Sequence, residues 1–127
     1  MNAKVLVVDD SLMVRQQVKK ALVAANFDVI EAQDGMDALE KSDKTPGLSL
    51  VICDVNMPRM NGLDFLEAFR KDPRFKVVPV VMLTTEAQPE LVARAKALEA
   101  KGWIIKPFKP DLLMSAAKKL ALPPVAA

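Results

Sequence analysis

The sequence contains no histidine and a single cysteine, Cys53. Without histidine, the chain lacks the commonest side chain for acid–base catalysis near neutral pH and for binding transition metals. One cysteine cannot form an internal disulfide, and it cannot build a zinc site from several thiolates. We therefore expect Cys53 to be an inert, buried thiol, and we expect any metal site to use oxygen ligands.

The chain also lacks charge of one dominant sign and long apolar runs. Its net charge is +2 over 127 residues, with no Lys/Arg-rich block, which argues against nucleic acid as a partner. The apolar run after Lys4 ends at Asp9 and is too short for a signal peptide or a membrane span. We predict a cytoplasmic protein with one domain over residues 1–122 and a short tail over residues 123–127.

Short apolar runs alternate with segments of helical periodicity along most of the chain. The predicted strands cover residues 4–8, 28–32, 50–53, 77–83 and 103–105. The predicted helices cover residues 12–25, 36–44, 63–71, 89–100 and 110–122. Pro79 cannot donate a hydrogen bond within a sheet, so we expect it at the start of its strand. This alternation predicts an α/β domain in which right-handed crossovers place helices on both faces of a parallel sheet.

Polar residues follow four of the predicted strands at their carboxyl ends. They are Asp9 and Asp10, then Asp54, Thr84 and Lys106. These ends share one edge of a parallel sheet, so three carboxylates, a hydroxyl and an ammonium are expected to converge there. The carboxylates would repel one another, and a hard cation such as Mg²⁺ or Ca²⁺ would relieve the repulsion. A nucleophile, a metal, a cation and a hydrogen-bond donor are the groups needed for phosphoryl transfer to a carboxylate.

At these residues the chain resembles the receiver domain of two-component response regulators, in the CheY-like group. The resemblance spans residues 4–122 and is carried by the segments VVDDS, CDVNMPRMNG, VVMLTT and GWIIKPF. It implies a doubly wound, flavodoxin-like parallel sheet of five strands in the order 2-1-3-4-5.

The resemblance also implies a role for each site residue. Asp54 matches the phosphoacceptor, and Mg²⁺ would be bound directly by Asp10 and Asp54, through water by Asp9, and by the backbone carbonyl of Asn56. Thr84 and Lys106 match the pair that responds to the phosphoryl group.

Further positions would control switching and phosphate lifetime. Trp103 matches the aromatic switch position, Asn56 and Glu86 flank the expected path of the hydrolytic water, and Pro107 matches a cis-proline. The chain departs from the family pattern at Asn61-Gly62, often Asp-Gly, and at Glu99-Ala100, often Ala-Gly.

The function implied is a phosphorylation-activated switch in chemotaxis or motility. Its expected partners are a sensor histidine kinase or phosphotransfer protein and an output protein that recognises the phosphorylated form, with the flagellar motor as one candidate. We expect a monomer that catalyses only its own phosphotransfer and dephosphorylation. The alternatives are a single-domain phosphorelay shuttle and the receiver portion of a longer regulator.

Two unrelated functions fit the residues less well. An aspartate-nucleophile phosphohydrolase needs an acid–base carboxylate two residues after its nucleophile, where this chain has Asn56. A flavin carrier needs a phosphate-binding loop after the first strand, where Asp9 and Asp10 would repel phosphate. Taken alone, Asp9-Asp10-Ser11 is also consistent with the capped, negatively charged start of a helix.

Overall fold

A computed structural model of the protein describes residues 2–124. Strands and helices alternate throughout this part of the chain. The strands are β1 Lys4–Val8, β2 Asp28–Ala32, β3 Leu48–Cys53, β4 Val80–Thr84 and β5 Gly102–Ile105. The helices are α1 Leu12–Ala24, α2 Gly35–Asp43, α3 Gly62–Lys71, α4 Pro89–Ala97 and α5 Pro110–Leu120. A 3₁₀ turn over Pro73–Phe75 follows α3.

The strands form one sheet in the order β2-β1-β3-β4-β5, and every neighbouring pair is parallel. This arrangement confirms the predicted doubly wound, flavodoxin-like α/β fold and its strand order. The central strand β3 pairs with β1, so the residues that follow these two strands at the carboxyl edge lie next to each other.

The hydrophobic core has two parts, one on each face of the sheet. Along β1, Leu6 and Val8 pack into one part while Val5 and Val7 pack into the other, because successive side chains of a strand point to opposite faces. Helices α2, α3 and α4 cover the first face, and α1 and α5 cover the second. Both faces of the sheet are therefore buried, as the apolar strand sequences indicate.

Several element ends differ from the sequence prediction. β4 begins at Val80, not at residue 77, because Val78 is engaged in a turn in which its N–H donates to the carbonyl of Phe75 at 3.3 Å. α4 ends at Ala97 because Glu99 adopts a left-handed conformation with φ of 64°. β3 begins two residues earlier than predicted, at Leu48, and α5 ends two residues earlier, at Leu120.

The predicted tail, residues 123–127, lies partly outside the described residues. Across residues 2–124, none of the helices combines the length and the hydropathy needed to span a bilayer.

Candidate metal-binding and phosphoacceptor site

Asp54 is the first residue after the central strand β3. Its N–H donates to the carbonyl of Val8 at 2.9 Å, which extends the pairing of β3 with β1 by one residue. Its side chain is buried, and Oδ1 accepts a hydrogen bond from the N–H of Val55 at 2.7 Å. One carboxylate oxygen is thus held by the backbone while the other faces neighbouring side chains.

Asp9 and Asp10 approach Asp54 from the end of β1. Asp9 is buried and accepts the N–H of Ser11 at 2.9 Å, whereas Asp10 is exposed. Each of the three residues offers a carboxylate oxygen, and these oxygens lie within 4.8 Å of one another. Ser11 also caps α1, since its hydroxyl accepts the N–H of Val14 at 3.3 Å. The helix-capping interpretation and the convergence of the carboxylates therefore both describe this loop.

Lys106 joins the carboxylates from the end of β5. Its Nζ donates to Asp9 Oδ2 at 2.6 Å and to Asp54 Oδ2 at 3.3 Å. Burial disfavours the charged ammonium, but the hydrogen bond to Asp9 and the negative charge of Asp54 outweigh burial and raise the pKa of Lys106 above its ordinary value. Lys106 is therefore a charged counter-ion for the acidic cluster.

Thr84 at the end of β4 and Trp103 on β5 both hydrogen-bond Glu86, which lies in the loop between β4 and α4. The buried Thr84 hydroxyl accepts the N–H of Glu86 at 3.2 Å, and the indole N–H of Trp103 donates to the Glu86 carbonyl at 2.8 Å. The Glu86 carboxylate accepts a hydrogen bond from the Asn56 side chain, which lies in the loop after Asp54. The loop between β4 and α4 thus connects the loop after β3 with the Trp103 side chain on β5.

The remaining sequence-predicted positions also have defined geometry. The Lys106–Pro107 peptide bond is cis. Asn61, where many family members have aspartate, caps α3 by accepting the N–H groups of Leu63 and Asp64. Asparagine and aspartate cap helices about equally well, so this departure from the family pattern does not weaken the start of α3. The other departure from the family pattern is Glu99-Ala100, just after α4. Here Arg70 donates to the carbonyls of Leu98 at 3.0 Å and Glu99 at 3.3 Å, which have no partner within the helix.

Sequence reasoning missed two arginines that hold the loops of the site. Arg15 donates to the backbone carbonyl of Asp9 at 2.7 Å and to the Glu31 carboxylate at 3.2 Å. Arg59 donates twice to the buried carboxylate of Asp34. Both acidic partners come from the end of β2 or the loop after it, a pairing between distant segments that no local sequence pattern reveals.

The donor set fits a hard divalent cation. Asp9, Asp10 and Asp54 supply only oxygen atoms, and neither histidine nor a second cysteine is present in the chain. Mg²⁺ binds through one or two carboxylates together with waters and phosphate oxygens. The Cys53 thiol is not a competing ligand, because burial raises its pKa well above the ordinary value and its S–H contacts the Asp54 carbonyl at 3.2 Å.

Comparisons with known proteins agree with this geometry. Residues 5–118 match the response regulator receiver domain family. The chain is 42% identical to the chemotaxis protein CheY1 of Helicobacter pylori over 111 residues, 87% of this chain and 90% of that protein. It is 36% identical to a CheY homologue of Campylobacter jejuni, covering 87% and 85% of the two chains.

A solved structure shows the same likeness in three dimensions. Chemotaxis protein CheY4 of Vibrio cholerae superimposes with a TM-score of 0.88 at 42% identity, covering 94% of this chain and 99% of that one. The chain therefore belongs to the response regulator receiver domain family, as a member of the CheY-like type.

Proposed function

We propose that the protein is a chemotaxis switch that accepts a phosphoryl group on Asp54 with the help of Mg²⁺. The donor would be a sensor histidine kinase or a phosphotransfer protein, and the signal would pass to an output protein by direct contact. The observation that carries this proposal is the meeting of Asp54 with Asp9, Asp10 and Lys106 at the end of the central strand. The chemotaxis role is supported by the CheY relatives.

The acidic residues would hold the metal as the family implies. Asp10 and Asp54 would bind it directly, Asp9 through a water, and Asn56 through its backbone carbonyl. The metal would neutralise charge on the incoming phosphoryl group and on the carboxylates around it. Asp54 would attack phosphorus with a carboxylate oxygen, the bond from phosphorus to the donor would break, and the donor group would leave with that bond's electrons.

The phosphoryl group would then change the partners of Lys106 and Thr84. Lys106 now binds two carboxylates, and the added negative charge on Asp54 would draw its ammonium towards the phosphoryl oxygens. The Thr84 hydroxyl, which accepts the Glu86 N–H, would turn to donate its own hydrogen to the same group. Glu86 lies in the loop between β4 and α4 and accepts a hydrogen bond from the Trp103 indole. A shift of that loop would therefore move the indole and the surface formed by α4, β5 and α5.

A Mg²⁺ titration by calorimetry tests the metal site. Asp10→Asn should weaken Mg²⁺ binding strongly, because the variant loses a charged ligand at an exposed edge of the cluster. Asp111→Asn, an equivalent change on an exposed residue in the first turn of α5, should leave the affinity unchanged. Full affinity in Asp10→Asn would contradict the assignment.

A further inference from the structure

The loop between β3 and α3, residues 54–61, is attached to the neighbouring loop after β2 by an ion pair between the exposed Arg59 and the buried Asp34. The Asp34 side chain is only 3% exposed, and its two oxygens accept Nε of Arg59 at 2.8 Å and Nη2 at 3.1 Å. Two parallel bonds from one guanidinium to one carboxylate fix orientation as well as distance. The hydrogen bonds from Arg59 hold the pKa of Asp34 below its ordinary value, so the carboxylate is charged.

Asp34 is itself held independently of Arg59. The same side chain caps α2 by accepting the N–H of Asp37 at 2.8 Å. The position of the Asp34 side chain is therefore fixed by α2, whether or not Arg59 is bound to it. Arg59, by contrast, has an exposed side chain and a left-handed backbone with φ of 63°, a conformation that residues other than glycine seldom adopt.

A second contact joins the same two loops through their backbones. The N–H of Gly35 donates to the carbonyl of Met60 at 2.9 Å. A Cβ atom on Gly35 would lie only 2.7 Å from the Met60 carbonyl oxygen, so the two loops approach each other more closely than any residue but glycine would allow. Arg59 and Met60 are thus both fixed to the loop after β2.

The far side of residues 54–61 is anchored to α3. Asn61 caps that helix, and the N–H of Gly62 donates to the carbonyl of Val55 at 2.8 Å. Asn56, whose backbone carbonyl is expected to bind the metal, lies between the anchored residues Val55 and Arg59, and Asp54 directly precedes Val55. Mg²⁺ demands near-ideal octahedral geometry, so its affinity depends on how well these oxygens are held in place.

We propose that Asp34 and Arg59 are positioning residues that hold residues 54–61 in the conformation that binds Mg²⁺. This inference rests on the proposed metal site at Asp54. Neither residue is expected to touch the ion, and both act through the backbone of the loop. Groups that orient metal ligands in this way typically contribute about 10-fold to 100-fold in metal affinity.

Charge alone predicts a different pattern of effects. Removing the positive charge of Arg59 would strengthen Mg²⁺ binding if only long-range electrostatics mattered, and removing the negative charge of Asp34 would weaken it. A positioning role predicts that Arg59→Met and Asp34→Asn both weaken binding, each by roughly 10-fold. The double variant should bind about as well as either single variant, because both changes break the same pair.

The experiment combines calorimetric Mg²⁺ titration with hydrogen exchange on the metal-free protein. In Arg59→Met the Gly35 amide should exchange faster, because its acceptor, the Met60 carbonyl, is no longer held in place. The matched controls are Arg94→Met and Asp64→Asn, which break an ion pair of 2.8 Å between α4 and α3 and should change neither readout.

Mg²⁺ affinity in Arg59→Met that equals or exceeds the wild-type value would overturn the inference, as would unchanged exchange at Gly35. These failures differ from a failure of the proposed function. If wild-type protein itself bound no Mg²⁺, the metal site would be wrong, and the positioning role would fail with it.

Discussion

Replacing Gly62 with alanine should damage the protein more than any other single added methyl group at its described glycines. The new Cβ atom would lie 1.8 Å from the Asp54 carbonyl oxygen and 2.8 Å from its carbonyl carbon. Real Cβ atoms essentially never approach another heavy atom within 3.0 Å. The obstacle is the backbone at the end of the central strand, which cannot rotate away as a side chain would.

The magnitude follows from this geometry. Extra methyl groups in a well-packed site cost about 1–3 kcal/mol, and we take the upper value because the obstacle to this methyl group is backbone. We expect Gly62→Ala to lower the free energy of unfolding by about 3 kcal/mol, which a domain stable by about 5–15 kcal/mol survives. Displacement of Asp54 should also weaken Mg²⁺ binding in the folded variant.

Urea denaturation measures the effect, and Gly102→Ala is the matched control. A Cβ atom on Gly102 meets only the Val81 side chain, at 3.4 Å, an ordinary contact. This control should be neutral or stabilised by up to about 1 kcal/mol, because alanine restricts the unfolded chain. A Gly62→Ala variant within about 0.5 kcal/mol of wild type would refute the packing argument.

Three further predictions concern the site. Lys106→Arg should still be phosphorylated but should lose phosphorylation-dependent partner binding, because a planar guanidinium cannot replace a compact ammonium. If the phosphorylated variant binds partners as well as wild type in a pull-down, Lys106 only balances the charge of the carboxylates. Leucine in place of Asn56 or Glu86 should slow loss of the phosphoryl group by blocking water, and decay equal to wild type in excess Mg²⁺ would remove this role. The pKa of Asp34 in the folded protein lies below its ordinary value of 3.8. The ion pair with Arg59 therefore stabilises the fold above pH 3.8, and this stabilisation is lost as the pH falls through the folded-state pKa. The difference in unfolding free energy between wild type and Asp34→Asn should therefore shrink in acid; a difference independent of pH would contradict it.

The parts of the structure that follow from local pattern were predictable from the sequence. Apolar runs mark buried strands, and their alternation with helices implies a parallel sheet, so the convergence of Asp9, Asp54 and Lys106 could be predicted from where each strand ends. Asn26, just after the end of α1, has a left-handed backbone with φ of 67°, a conformation that asparagine adopts more readily than most residues. The strand and helix ends depend on residues close together in the chain, and the parallel sheet then brings the strand ends to one edge.

Features that depend on distant contacts could not be predicted. The late start of β4 reflects Arg70, which donates to the carbonyls of Phe75 at 2.9 Å and Val78 at 2.7 Å and holds that segment in a turn. The Asp34–Arg59 pair joins residues 25 positions apart. A single sequence shows that a charged residue is present but not which distant charge it meets.

Phosphotransfer to Asp54 tests the central claim most directly. Wild-type protein treated with a small phosphodonor and Mg²⁺ should gain one phosphoryl group, mapped by mass spectrometry to the peptide that contains Asp54. The labelling should vanish with a metal chelator and in Asp54→Asn, and it should persist in the control Asp64→Asn. Labelling of Asp54→Asn at the wild-type rate would contradict the account and move the acceptor to another carboxylate, with Asp9 and Asp10 the first to examine.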